Sequence, residues 1–159
     1  MHSSTYYTGI VGIIERISPL NTQCCNQMLT LRTLNGTVNF ILSPGTYVAD
    51  NTPLRNGMRV TAFYDANLPV PLIYPPQYQA AFIGRTEPGE NIKVSYFNKD
   101  LVSAENSLKL HIDSNTRITT ANGQQFACSL GNNLLMVYYS ATTRSVPPQT
   151  TPDRIIVFC

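Results

Sequence analysis

The amino-acid sequence predicts an all-β protein. Short runs at 92–96 and 108–113 alternate apolar and polar residues, which is the period-two pattern of a half-buried strand. No stretch of about 12 residues keeps the apolar spacing of an amphipathic helix without interruption by Pro, Gly or β-branched residues. The 11 prolines and nine glycines lie between the alternating runs and separate them. We therefore expect about ten short strands.

These strands and their turns can be placed along the chain. The strand pattern occurs at 9–17, 28–34, 37–42, 46–48, 58–64, 80–83, 92–96, 108–113, 134–139 and 154–158. Asn35-Gly36 and Asn122-Gly123 each separate two such runs and predict tight hairpins, with both turn residues at positive φ. The segment 101–106 is the best candidate for one turn of helix.

The two halves of the chain carry the same motifs in the same order. The first half has Thr46-Tyr47-Val48, Gly57, a run at 60–66, Pro75-Pro76-Gln77 and a run at 81–83. The second half has Thr116-Arg117-Ile118, Gly131, a run at 135–141, Pro147-Pro148-Gln149 and a run at 155–158. We expect two tandem modules, 1–83 and 84–159. In each, a last strand after a proline loop would return to the first strand, as in a small Greek-key barrel.

This pattern resembles the OB-fold. A Thr-x-Val strand at 46–48, a Gly before the fourth strand and a final strand after a proline-bearing loop carry the resemblance, which covers most of each half. It implies two OB-like barrels related by internal duplication. The segments 58–65 and 139–152 also resemble short uncharacterised proteins of anaerobic, clostridial-type Gram-positive bacteria. That second resemblance implies a fold and a lineage but no chemistry.

Composition excludes several classes of protein. Hydrophobic residues make up 43% of the 159 residues, which is typical of a globular chain. Charged residues make up only 13%, with a net charge of +2, and neutral Thr, Asn and Ser replace the missing charge. This argues against a strongly basic nucleic-acid binder, an acidic tail and a long charged helix. No apolar stretch is long enough for a membrane span, and the N-terminus lacks a signal-peptide pattern. Cytoplasmic location and assembly at a cell or spore surface both stay open.

Four cysteines carry two interpretations. Cys24, Cys25, Cys128 and Cys159 form no C-x-x-C pair, which argues against a zinc site and a disulfide-dense miniprotein. The first interpretation is four reduced thiols, with Cys128 buried as a small hydrophobe. In the second, Cys24 and Cys25, in a polar loop at 21–27, and the terminal Cys159 cross-link neighbouring subunits. An intrachain disulfide of Cys128 or Cys159 is equally open.

The sequence points to no catalytic residues, metal or cofactor. Of the two histidines, His2 lies near the N-terminus and His111 falls on the outer face of a predicted strand. Asp50, Asp65 and Asp113 lie at strand ends, where Asp commonly stabilises turns. Phosphate-binding glycine motifs and calcium-binding loops are absent from the sequence. We therefore predict that the protein is not an enzyme.

A proline-rich loop at 67–78 is the main candidate for a contact surface. It holds four prolines and no charge, so it is stiff and apolar. Either it packs over a barrel mouth or the other module, or it is exposed and contacts another subunit. The candidate contact residues are Leu68, Val70, Leu72, Ile73, Tyr74 and Tyr78. Its counterpart at 142–152 is polar and lacks these aliphatic residues.

The leading functional prediction is a non-catalytic structural or interaction protein that forms homo-oligomers, as in a cell- or spore-surface assembly. The alternative is an OB-type module that binds single-stranded nucleic acid or an oligosaccharide on a barrel face. Nucleic acid is not favoured, because each half has a net charge of only +1 and gains little from counterion release.

Overall fold

The chain folds into β-structure, as the sequence predicts. The computed structural model describes residues 5–20 and 23–159. Within those ranges there is no α-helix, and one 3-10 turn spans Ala49–Asn51. The chain divides into two compact units between Glu87 and Pro88, whereas the sequence analysis places the module boundary between residues 83 and 84. The first unit is Tyr7–Glu87, and the second combines 88–159 with Thr5 and Tyr6, the described residues before Tyr7.

The first unit contains seven strands in one sheet. They are β1 (Tyr7–Leu20), β2 (Gln23–Thr33), β3 (Gly36–Leu42), β4 (Tyr47–Val48), β5 (Arg59–Asp65), β6 (Gln77–Gln79) and β7 (Phe82–Arg85). Their order in the sheet is β4-β7-β5-β1-β2-β3-β6. Neighbours are antiparallel except at the two ends, where β4 is parallel to β7 and β6 is parallel to β3.

The core of the first unit follows from the alternating pattern. Leu29 and Leu31 on β2, Phe40 on β3 and Val60 on β5 are fully buried and pack in one cluster with Ile14 and Ile83. Gly9 on β1 lies under the ring of Phe63, and a Cβ there would come within 2.5 Å of that ring. A small residue on β1 therefore lets a large aromatic side chain from β5 cover the strand.

The second unit contains six strands. They are β8 (Asn91–Phe97), β9 (Lys109–Leu110), β10 (Arg117–Thr120), β11 (Asn133–Tyr139), β12 (Gln149–Thr150) and β13 (Arg154–Phe158). Four of them form a sheet in the order β10-β13-β11-β8, and β12 pairs separately with β9. Its core cluster contains Phe97, Leu108, Leu110, Leu130, Leu135, Val137, Ile155 and Val157.

Strand pairing follows the same pattern in both units. The order β4-β7-β5-β1 in the first unit has the same directions as β10-β13-β11-β8 in the second, with the first pair parallel and the next two antiparallel. In addition, β3 and β9 each pair in parallel with a short strand that follows a Pro-Pro dipeptide. The Tyr74-Pro75 and Val146-Pro147 peptide bonds are cis.

Threonine side chains hold corresponding places in the two units. The Thr46 hydroxyl donates to the Ala80 carbonyl at 2.7 Å, and the Thr116 hydroxyl donates to the Pro152 carbonyl at 2.7 Å. Each accepting carbonyl lies between the short strand, β6 or β12, and the last strand of its unit. A hydroxyl at this position therefore anchors the entry to the last strand in each unit.

The motif comparison of the two halves needs a correction at Gly57. The sequence analysis matches Gly57 with Gly131, but Gly57 has a φ of 88° and its counterpart by geometry is Asn132, with a φ of 64°. The Gly57 N–H donates to the Ile14 carbonyl, in the middle of β1, and the Asn132 N–H donates to the Phe97 carbonyl, at the end of β8. Each glycine or asparagine thus bonds to the first strand of its unit. Gly131 has another role, because a Cβ there would lie 2.8 Å from the Lys99 Cα.

The predicted hairpin at 35–36 joins β2 and β3, whereas the one at 122–123 is reduced to an isolated antiparallel bridge between Thr119 and Gln125. Both turns differ from the expected ones. Thr33 pairs with Gly36, so the turn residues are Leu34 and Asn35, and only Gly36 of the Asn35-Gly36 pair has a positive φ. At 122–123 it is likewise Gly123 that takes the positive φ. A glycine that follows a two-residue turn in the left-handed conformation is a common hairpin solution.

The expected helical turn at 101–106 is wrong. Leu101 and Asn106 have positive φ values, and Val102 and Ser103 form isolated strand bridges with Lys109 and Phe97. The Asn98 carboxamide oxygen accepts from the N–H groups of Asp100 and Val102, so this asparagine organises the turn. After its first strand the first unit continues into the long β2, whereas the second unit has a compact loop at 98–106.

Candidate functional site

Corresponding clefts open at the same place in each unit. Each lies between the end of a long strand, β5 or β11, the proline loop that follows it and the short strand β6 or β12. The first cleft has a volume of about 220 Å³ and is lined by Tyr64, Asp65, Leu68, Pro69, Val70, Pro71, Gln77, Tyr78 and Gln79. The second cleft has a volume of about 470 Å³ and is lined by His111, Ser140, Ala141, Thr142, Thr143, Gln149, Thr150, Thr151 and Asp153.

Aromatic side chains form the wall of the first cleft. The rings of Tyr64 and Tyr78 stack with their centroids 4.0 Å apart and their planes 15° apart. The buried Phe40 ring lies 6.3 Å from Tyr64 and 5.5 Å from Tyr78. Burial raises the pKa of the Tyr78 hydroxyl, and the neighbouring Tyr64 raises it further. The stacked pair leaves no space between its rings, so it acts as a fixed wall.

The proline loop of the first unit is exposed. Leu68, Val70 and Ile73 are exposed, Leu72 is fully exposed at 104% and Tyr74 is 82% exposed. Of the six predicted contact residues, Tyr78 differs, because its ring is half-buried in the stacked pair. We define the contact loop as residues 68–74. This exposure is compatible with the second of the two sequence-based alternatives, contact with another subunit, which stays a prediction.

The contact loop extends to the β2–β3 turn. A Cβ built on Gly36 would lie 3.6 Å from the Tyr74 hydroxyl, so this tyrosine extends to the β2–β3 turn. The same turn carries Leu34, which is fully exposed at 105%. The exposed Tyr74 therefore extends to the turn that carries the exposed Leu34.

The second cleft is polar. His111 Nε2 hydrogen bonds the Gln149 carboxamide oxygen, and since that oxygen accepts, the ring nitrogen is the donor. The Thr150 hydroxyl donates to the Ala141 carbonyl at 2.6 Å, and Thr143 accepts from the Gln149 N–H at 3.0 Å. These bonds fix the proline loop to β12. As the sequence predicts for His111, its side chain is exposed.

Several polar groups of the second cleft face solvent without a partner inside the described part of the chain. They are the hydroxyls of Ser140, Thr142 and Thr151, the carboxylate of Asp153 and the amide NH₂ of Gln149. The Asp153 backbone is fixed, because its N–H donates to the Tyr138 carbonyl at 2.9 Å and its carbonyl accepts from the Arg117 N–H at 3.0 Å. The carboxylate therefore projects from a well-anchored position.

Each cleft has a carboxylate and no Lys or Arg in its lining. In the first cleft Asp65 accepts from the Asn67 N–H at 2.9 Å, and at the start of a different turn Asp113 accepts from the Asn115 N–H at 2.9 Å. These two aspartates stabilise turns, as the sequence predicts. The local electrostatic character of both clefts disfavours anions.

All four cysteines are exposed and none is in a disulfide. The expectation that Cys128 is a buried hydrophobe is therefore wrong. Cys24 and Cys25 lie on β2 and not in the expected polar loop; Asn21 and Thr22 of that loop are outside the described residues. Cross-linking between subunits stays a prediction, and the exposure of the thiols is compatible with it.

Among the described residues, no group of three or more His, Cys, Asp and Glu side chains is placed to hold a metal ion. His2 lies outside the described residues. A search of the described part of the chain for helices long and apolar enough to cross a membrane finds none.

Sequence reasoning missed the clefts although it found one of their parts. Pro-Pro-Gln occurs in both halves, and its Gln77 and Gln149 line corresponding clefts. In the sequence the motif indicates only a repeat. Asp153 and His111 are 42 positions apart in sequence, so no local pattern brings them together.

Comparisons of the chain with protein-family models, curated proteins and solved structures return no match.

Proposed function

We propose that the protein is a non-catalytic interaction protein that associates with copies of itself through the contact loop. The observation that carries the proposal is the exposure of Leu68, Val70, Leu72, Ile73 and Tyr74 on one stiff loop. Removing a leucine or isoleucine side chain fully from water is worth about 1.5–3 kcal/mol. A second copy that covers the loop would recover this free energy.

Low surface charge supports self-association over association with a charged partner. Charged residues make up 13% of the chain and the net charge is +2. Copies of the same molecule therefore repel one another weakly. The contact loop itself contains no charged residue, so two loops can meet without desolvating an ion.

We also propose that each unit is an OB-like barrel and that the units arose by internal duplication. In the first unit Ala80 N–H donates to Ile41 on β3 and the next residue, Ala81, donates to Phe63 on β5. The segment between β6 and β7 therefore bonds both to β3 and to β5, which lie on opposite sides of β1 in the sheet. This favours closure of the sheet into a barrel. In the second unit the Thr150 carbonyl accepts from the His111 N–H, and the Asp153 N–H donates to Tyr138.

The alternative of a nucleic-acid module has less support. Stacking of bases on exposed aromatic rings needs a cationic groove to hold the phosphates. The two clefts offer Asp65 and Asp153 and no Lys or Arg. A neutral ligand fits these surfaces better, and it is treated below.

The test is sedimentation of wild-type protein and two charge variants over a range of concentrations. Leu72→Asp with Ile73→Asp should reduce the mass of the oligomer to the 17.6 kDa monomer, because two carboxylates would have to be buried. Val146→Asp is the matched control, since Val146 is 94% exposed on the corresponding loop of the second unit. It should leave the mass unchanged.

Reductant is included in a parallel series, so that thiol cross-links between Cys24, Cys25 or Cys159 are distinguished from apolar contact. A wild-type protein that stays monomeric at all concentrations, or a double variant that keeps the wild-type oligomer, would refute the contact loop as the interface.

A further inference from the structure

We infer that the second cleft binds a neutral, hydroxyl-rich ligand of the carbohydrate class. The inference does not depend on self-association, because the cleft lies wholly within residues 111–153 and contains no contact-loop residue. Its volume of about 470 Å³ falls in the range of roughly 300–1,000 Å³ that small-molecule sites occupy. The first cleft, at about 220 Å³, falls below it.

The chemistry of the second cleft selects against charged and apolar ligands. An anion would face the carboxylate of Asp153 with no Lys or Arg in the lining to compensate it. An apolar ligand would cover the free hydroxyls of Ser140, Thr142 and Thr151 and leave them without partners, which is costly. A ligand that both donates and accepts hydrogen bonds avoids both penalties.

A sugar matches the groups that are present. The Asp153 carboxylate can accept from two adjacent hydroxyls, and the Gln149 NH₂ can donate to a hydroxyl or ring oxygen. The bond from His111 to the Gln149 carboxamide oxygen fixes the orientation of that amide, so its NH₂ is presented without a further loss of freedom. The Ala141 methyl and the threonine methyls offer a small apolar surface for the C–H face of a pyranose ring.

The anchoring of the cleft supports a preformed site. Thr143, Gln149 and Thr150 are joined by hydrogen bonds that tie the proline loop to β12. The Asp153 backbone is bonded on both sides, to β11 and to β10. A cleft held by backbone bonds loses little entropy when a ligand enters.

The experiment titrates isotopically labelled protein with defined probes and follows backbone amide shifts. The probes are the neutral trisaccharides maltotriose, cellotriose and N,N′,N″-triacetylchitotriose, the cation spermidine and the anion citrate. At least one trisaccharide should shift residues 140–153 at millimolar or lower concentration, with little dependence on salt. Gln149→Ala and Asp153→Asn should weaken that binding about tenfold or more.

Gln77→Ala is the matched control, because Gln77 holds the corresponding Pro-Pro-Gln position in the first cleft. It should leave trisaccharide binding unchanged. The absence of shifts in residues 140–153 with all three trisaccharides would overturn the inference. So would binding of spermidine alone with strong salt dependence, which would mark a cation site, or an equal loss in Gln77→Ala and Gln149→Ala.

Discussion

The two proline loops follow the same kind of strand and lead into the same kind of short parallel strand, yet their surfaces are opposite in character. The loop of the first unit exposes aliphatic side chains beside a narrow cleft walled by stacked tyrosines. The loop of the second unit borders a cleft about twice as large that is lined by hydroxyls, an amide and a carboxylate. Backbone pairing therefore fixes where a cleft forms, and the side chains of the loop decide what it can contact.

Among the variants that compare the two units, Gly131→Ala should cause the largest loss of stability. Its Cβ in Gly131→Ala would lie 2.8 Å from the Lys99 Cα and 3.2 Å from the Asn98 carbonyl oxygen, both backbone atoms. We expect the free energy of unfolding to fall by about 1–3 kcal/mol, the usual cost of overpacking. Denaturation in urea measures it.

Gly57→Asn is the matched control at the other glycine. A Cβ at Gly57 meets nothing within 4 Å, and Asn tolerates its positive φ, as Asn132 does at the corresponding place. The loss should stay below about 1 kcal/mol. Equal losses of unfolding free energy in Gly131→Ala and Gly57→Asn would contradict this assignment. They would mean that Gly57 corresponds to Gly131 and not to Asn132.

The anchoring threonines should give a smaller and matched effect. Thr46→Val and Thr116→Val each remove a hydroxyl that donates at 2.7 Å to the carbonyl before the last strand. We expect each to lower the free energy of unfolding by about 1 kcal/mol, with Thr→Ser retaining most of the stability. A large effect in one unit and none in the other would show that the last strands are held differently.

The smallest effect is expected at alkaline pH. Burial raises the pKa of Tyr78 and of Tyr139. Above about pH 10 the unfolded chain loses these protons first, so the folded state binds more protons and its stability falls as the pH rises. Tyr78→Phe and Tyr139→Phe should each show a shallower decline of the free energy of unfolding between pH 8 and pH 11. Declines as steep as that of the wild type would contradict the raised pKa values.

The longer strands could be predicted from the sequence because they coincide with local apolar runs between turn-forming residues. The bounds of β5, β8, β11 and β13 differ from those runs by at most a residue or two at each end, although of these four only β8 contains a strictly alternating run. The short parallel strands β6 and β12 were harder to predict, because each has two or three residues and follows two prolines. Their pairing depends on partners nearly 40 positions away, Asn39 with Gln77 and Lys109 with Gln149.

The clefts were beyond sequence reasoning for the same reason. The sequence does indicate the exposed apolar loop, because five of the six predicted contact residues lie together in one apolar run. The second cleft instead combines His111 with residues 140–153, and only the parallel pairing of β9 and β12 brings them together. The Leu101 turn was misread because its backbone takes a positive φ that a leucine seldom adopts.

Self-association through the first unit's contact loop, and not through its counterpart in the second unit, is what we propose. The most direct measurement is the relaxation caused by a neutral soluble paramagnetic probe at the methyl groups of Leu72, Ile73 and Val146, in dilute and in concentrated wild-type protein. We expect the methyl groups of Leu72 and Ile73 to become less accessible to the probe as the protein concentration rises, while the Val146 methyl groups remain as accessible as before. Unchanged access at Leu72 and Ile73 in the oligomer, or protection of Val146 in their place, would contradict it.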